Sequence, residues 1–161
     1  TCFCVALALK DAGISYSAGQ KKDIGIFGAN ETGCLESNIN YFKDYIESGR
    51  ILARGNLFIY TLPSIPLAEA AIHFGLSGPL LHISFNDGKI SSLLSFAGKN
   101  ILEGETPSIL AVKAEETDAV CFVLQTEDTI SAGKSLSLES VSVAADKSNF
   151  SEMITALTGL A

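Results

Sequence analysis

The stretch that decides the fold begins Asn56-Leu57-Phe58-Ile59-Tyr60-Thr61-Leu62-Pro63-Ser64-Ile65-Pro66. It continues through Ala68 to His73 and then Phe74-Gly75-Leu76-Ser77-Gly78-Pro79. Leu57–Leu62 is apolar but stops at a proline, which predicts a short extended piece or a loop. Ser64 is placed to cap a helix, with Pro66 in its first turn and Gly75 at its end. Pro79-Leu80-Leu81-His82-Ile83-Ser84-Phe85 reads as the strand that follows. Asn86-Asp87-Gly88 then turns into a helix carrying Ile90, Leu93, Leu94, Ala97 and Ile101 and stopping at Gly104.

Working outward, Cys2–Ala12 is an Ala/Leu-rich helix ending at Gly13, and Ser15–Gln20 is a polar loop. Asp23-Ile24-Gly25-Ile26-Phe27-Gly28 is a buried strand closed by glycine. Glu36–Ser48 has Ile39, Phe42 and Ile46 near helical spacing, with Gly49 as its stop. Glu36, Asp44 and Glu47 are expected on its solvent side, as surface charge rather than an acid/base pair. Ile109–Ala114 and Ala119–Leu124 are two strands joined by the acidic turn Glu115-Glu116-Thr117-Asp118. Leu136–Ala144 alternates apolar residues with serine, the pattern of a half-buried strand, and Asn149–Leu160 closes the chain as a helix. Strands alternating with helices give an α/β layer architecture with an antiparallel edge. No repeat or linker interrupts it, so residues 1–161 are read as a single domain.

The 161 residues are 47% hydrophobic and 18% charged, with a formal net charge of −7. The pI of about 4.7 excludes electrostatic attraction to nucleic acid or anionic lipid. A mean hydropathy of +0.32 is high for a lone small domain and suggests apolar surface covered by a partner. No apolar run reaches 18 residues, so no membrane span is expected. The opening Thr1-Cys2-Phe3-Cys4-Val5 lacks a basic n-region and is not read as a signal peptide. It starts inside a pattern and without Met, which leaves room for residues before Thr1. A cytoplasmic location follows as the expectation.

Cys2, Cys4, Cys34 and Cys121 are scattered rather than paired as metal ligands. On a helix, Cys2 and Cys4 are expected to point to different sides. Buried free thiols are the expectation, with no metal and no cofactor. Cys34 is the best thiol candidate, being near a helix start where thiolate is favoured. Gly28-Ala29-Asn30-Glu31-Thr32-Gly33-Cys34 lacks the Lys-Ser/Thr pair of a phosphate-binding loop and reads as a turn. His73 on a helix and His82 in a strand read as structural residues.

The stretch 56–79 resembles the β-ketoacyl synthase segment in which a "TLPN" loop leads to a helix, then "(F/L)GL-x-GP", then a strand. Ala8-Leu9-Lys10-Asp11-Ala12-Gly13 resembles that family's "AL-x-DAG" helix end, and Ile24–Gly33 its "GV-x-x-G-x-x-x-G" strand and loop. Ile101-Leu102-Glu103-Gly104-Glu105 and Ala119–Leu124 resemble its "(L/I)-x-x-GE" helix end and the following strand. The likeness runs through nearly the whole chain. It implies a thiolase-like half-domain of class α/β, a mixed β-sheet with helices on its faces, equivalent to the amino-terminal half of a β-ketoacyl synthase.

In that family the strand after "GP" ends in a turn whose cysteine opens a buried helix and serves as nucleophile. Here Phe85-Asn86-Asp87 stands there, so Asp87 falls at or beside the nucleophile position. A carboxylate is stabilised by a helix start but attacks thioesters poorly. Asp87 or Asn86 is therefore expected to cap the helix Gly88–Glu103 rather than to catalyse. The family's catalytic histidines lie in a second half that this chain does not contain.

The resemblance thus implies a degenerate synthase that pairs with a complete ketosynthase, as a chain-length factor does, or forms a homodimer. Leu80, Leu81, His82, Ile83 and Ser84 are the dimer-interface candidates it supplies, and acyl carrier protein is a possible further partner. The alternatives are a residual thioester-acting enzyme using Asp87 or Cys34 for decarboxylation or hydrolysis, and a half-synthase completed in trans.

Overall fold

The computed structural model describes residues 1–51, 54–115, 117–129, 135–147 and 149–160. Its centre is a four-stranded sheet in the order β2-β1-β3-β4, formed by β1 (Gly25–Ala29), β2 (Leu80–His82), β3 (Ser108–Ala114) and β4 (Ala119–Gln125). The first three strands are parallel, and β4 runs antiparallel to β3. The turn between β3 and β4 is closed by a hydrogen bond from Glu115 N–H to the Asp118 carbonyl at 2.8 Å, while Glu116 lies outside the described residues.

Among the described residues seven α-helices accompany the sheet: α1 (Cys2–Asp11), α2 (Leu35–Glu47), α3 (Gly55–Ile59), α4 (Ile65–Phe74), α5 (Ile90–Leu102), α6 (Leu138–Ala145) and α7 (Phe150–Thr158). Successive strand residues face opposite sides of the sheet. Ile26, Leu110 and Val112 therefore meet Val5, Leu9, Leu67 and Phe74 of α1 and α4 on one face. Phe27, Ile109 and Ala111 meet Leu93, Leu94, Ala97 and Ile101 of α5 on the other, with Ala145 and Met153 of α6 and α7. The result is the α/β class expected, a mixed sheet covered by helices on both faces.

Three glycines set the local geometry. Gly75 adopts φ +71° and ends α4 in the left-handed conformation. A Cβ on Gly78 would lie 2.6 Å from the Gly25 nitrogen and the Ile24 carbonyl carbon, so only glycine lets this strand approach β1. A Cβ on Gly98 would lie 2.8 Å from Leu138, which is how closely α6 packs on α5.

Three expectations are corrected. Leu57–Leu62 is not extended, because α3 forms there. The Asp44 carboxylate holds its start by accepting from Arg54 N–H and Nε, both at 2.9 Å. Leu136–Ala144 is not a strand but leads into α6. Ser137 accepts from Ser140 N–H as its cap, and Ala144 and Ala145 are buried, Ala145 in the second core. The strand after Pro79 is short, since β1 offers partners only to Leu80–His82. Cys2 and Cys4 are both partly buried and both pack against the first core cluster.

The helix predicted from Glu36 forms as α2, with Glu36 and Glu47 exposed as expected, but its apolar residues are exposed as well. Leu35, Ile39, Phe42 and Ile46 are 45–60% exposed, whereas Asp44 is partly covered and bound to Arg54.

Candidate functional site

The β1–β2 connection runs through α4 on one face of the sheet, and the β2–β3 connection through α5 on the other. The chain therefore changes direction between β1 and β3, where α/β sheets open a crevice beyond their strand ends. A cavity of about 540 Å³ lies there, lined among others by Asn30, Cys34, Ile39, His82, Glu115 and Asp118.

Asn30 organises its polar side. The Asn30 Oδ1 accepts from Gly33 N–H at 3.0 Å, and its Nδ2 donates to the Gly33 carbonyl at 2.8 Å. The amide orientation is thus fixed by backbone, and His82 Nε2, 3.1 Å from Oδ1, is the donor. With His82 Nε2 donating, Nδ1 is the acceptor nitrogen of the neutral ring. Burial pushes its pKa below the ordinary histidine value. The turn reading of Gly28–Cys34 agrees with this Asn30–Gly33 clasp.

Cys34 occupies the N-cap position of α2 and shares the cavity. The expected thiolate is not favoured, because partial burial raises the Cys34 pKa. Cys4 and Cys121 are likewise raised by burial, Cys121 strongly. All four cysteines are free.

Asp87 lies outside this cavity. Its Oδ1 accepts from Lys89 N–H at 3.1 Å and its Oδ2 from the Ser92 hydroxyl at 2.7 Å. These bonds, the Ser92 one foremost, hold its carboxyl below the usual carboxylate range. Capping by Asp87 or Asn86 is corrected in one respect: Lys89 holds the N-cap position and α5 starts at Ile90. The carboxylate on the first turn of α5 is Asp146, which accepts from Ser91 N–H at 3.0 Å and from its hydroxyl at 2.5 Å. Sequence reading missed Asp146 because it follows α6, 55 residues away. Only the fold brings the two together.

Beside this helix start a second cavity of about 290 Å³ is lined by Lys89, Lys113, Asp146 and Lys147 among others. Lys113 Nζ binds Glu31 and the Gly88 carbonyl, each at 2.9 Å, tying the turn before α5 to the end of β3.

The interface candidates sit on an edge of the sheet. Leu80 packs on the first core, Ile83 on the second, and Leu81 is 40% exposed. His82 faces the cavity, and Ser84 follows the strand. His73 on α4 lies edge-on to Phe74, their rings 4.7 Å apart. Among the described residues no cluster of three metal-ligating side chains occurs, and no helix is long and apolar enough to cross a membrane.

Comparison of structures returns the ishigamide ketosynthase/chain length factor, with a TM-score of 0.58 and 13% identity over 68% of this chain. The sheet and its helices share the fold of a thiolase-like ketosynthase. At that identity the likeness is one of fold, and the chain spans 38% of the length of that structure. No protein-family model matches the sequence, and no curated protein does.

Proposed function

We propose that this chain is a non-catalytic β-ketoacyl synthase-like protein, an accessory or chain-length-factor-like partner of a complete ketosynthase in fatty-acid or polyketide-type synthesis. The observation that carries the reading is the start of α5. Where a thioester-cleaving synthase needs a thiolate, this chain places two carboxylates. Asp87 is held by Lys89 and Ser92, and Asp146 by Ser91. Both are committed to hydrogen bonds that fix the turn, and neither is a competent thioester nucleophile.

In this reading the described residues correspond to the amino-terminal half of a β-ketoacyl synthase, and a partner would dock on their exposed apolar surface. Leu80–Ser84 on the sheet edge is the proposed contact, consistent with the exposed Leu81. The likeness in fold to the ishigamide ketosynthase/chain length factor supports the same assignment.

Co-expression with a complete ketosynthase tests it. A stable complex with altered product chain length is expected, and two independently purifying proteins would refute it. A second reading, a thioester-acting enzyme, draws on Cys34 and His82 lining one cavity. The raised Cys34 pKa favours the first reading, as does the engagement of His82 Nε2 with Asn30 rather than with the thiol.

A further inference from the structure

Helix α2 is built inside out. Its partly covered side is Ser37, Tyr41, Asp44 and Tyr45, facing α3 through a Tyr41–Phe58 ring contact of 5.4 Å and the Asp44–Arg54 pair at 2.9 Å. Its open side carries an apolar stripe beside exposed Glu36, Lys43 and Glu47: Leu35 is 60% exposed, Ile39 45%, Phe42 60% and Ile46 52%. The spacing of four, three and four residues is that of a coiled-coil seam, which places all four side chains in one narrow stripe. The packing of α2 on the rest of the fold runs chiefly to α3. An amphipathic helix with its apolar stripe outward is a surface made for another helix.

We infer that α2 pairs antiparallel with α2 of a second copy of this chain. The stripe is self-complementary. A two-fold axis between residues 40 and 41 sets Leu35 against Ile46 of the second copy and Ile39 against its Phe42, so every layer is filled. The flanking charges agree. Glu36 and Lys43 follow the first and third stripe residues, and neither has an ion-pair partner among the described residues. In this register Glu36 of each copy lies beside Lys43 of the other, making two equivalent cross-pairs. Such flanking pairs set orientation and partner choice in helix pairs.

The area sets the strength. Four half-exposed side chains present on the order of 300 Å² per copy, below the ~800 Å² per partner of a standard interface. The dimer is therefore concentration-dependent rather than obligate. The stripe and the proposed Leu80–Ser84 surface adjoin at the first cavity, which Leu35, Ile39 and His82 line. The pairing of α2 is tested on the chain alone, without a synthase partner.

Sedimentation equilibrium of the purified chain tests the inference across concentrations from about 1 µM to about 1 mM. A monomer–dimer transition is expected. Phe42→Glu should abolish it without loss of the helical circular-dichroism signal, since Phe42 is largely exposed. Glu36→Lys and Lys43→Glu should each weaken dimerisation about tenfold, and the double exchange should restore it. A monomer at every concentration overturns the inference. So does a dimer that Phe42→Glu and both single charge reversals leave unchanged, which would place self-association on another surface.

Discussion

The Asp146 carboxylate accepts from both the backbone N–H and the hydroxyl of Ser91, at 3.0 and 2.5 Å, across 55 residues. The bond joins the end of α6 to the first turn of α5, where the helix N-terminus attracts negative charge. Asp146→Ala should therefore lower stability by about 1 kcal/mol, the usual cost of losing a helix cap. Asp146→Asn should recover part of it. Urea unfolding of the three proteins measures the difference, and equal midpoints would show that the contact stabilises nothing.

Asp87, like Asp44, contributes to the acid limb of stability. Its folded-state pKa is lowered, first by the Ser92 hydroxyl and then by the Lys89 N–H. Its contribution is present above the unfolded carboxylate pKa and disappears as pH falls through the folded one. Thermal unfolding followed from pH 7 down to about pH 3 should fall more steeply in the native protein than in Asp87→Asn. Parallel curves would contradict the hydrogen-bonding role.

His82 acts in a higher window. Burial depresses its folded pKa, so the unfolded chain binds the proton more readily. Stability is then full above the unfolded histidine pKa of about 6.5 and declines as pH drops from there towards the folded value. His82→Gln keeps a donor towards Asn30 and removes the titration. The native protein should lose more stability than this variant between about pH 7.5 and 5.5. Imidazole resonances followed by NMR should titrate below the ordinary histidine value, and a value at or above it would refute the burial argument.

Gly78 tests the close approach of the strands. An added Cβ would meet Ile24 and Gly25 backbone at 2.6 Å, and backbone cannot swing away as a side chain can. Gly78→Ala should cost about 2–3 kcal/mol. A substitution at Gly13, whose Cβ would meet nothing within 4 Å, should act only through its positive φ of +67° and cost less.

Much of the fold was legible. The apolar runs at Ile24–Gly28 and Ile109–Ala114, and the helical spacing of Ile90, Leu93, Leu94, Ala97 and Ile101, leave little freedom once both faces of a sheet must be covered. The acidic turn before Ala119 likewise announced the antiparallel edge. What could not be read depends on contacts distant in sequence. The alternation Leu136–Val143 fits either a strand or a helix, and packing of Leu138 over Gly98 decides for α6. The helix at Gly55–Ile59 rests on the Asp44 carboxylate ten residues earlier.

The candidate site was legible only in its sequence position. Counting from Gly78-Pro79 located the turn before α5 and the carboxylate in it. The second carboxylate, Asp146, gives no signal in a sequence because nothing local marks it. The orientation of α2 was hidden for a related reason. Helical spacing gives the stripe Ile39, Phe42 and Ile46, but not whether its partner lies in the same chain.

The most direct test of the central claim, that the start of α5 carries no acyl nucleophile, is the intact mass of the chain after incubation with excess acyl and malonyl thioesters. The unmodified mass is predicted, with Cys34 labelled no faster than an ordinary buried thiol because burial raises its pKa. A stoichiometric acyl adduct mapped to Asp87 or Cys34, or turnover of malonyl thioester that Asp87→Ala abolishes, would contradict the account.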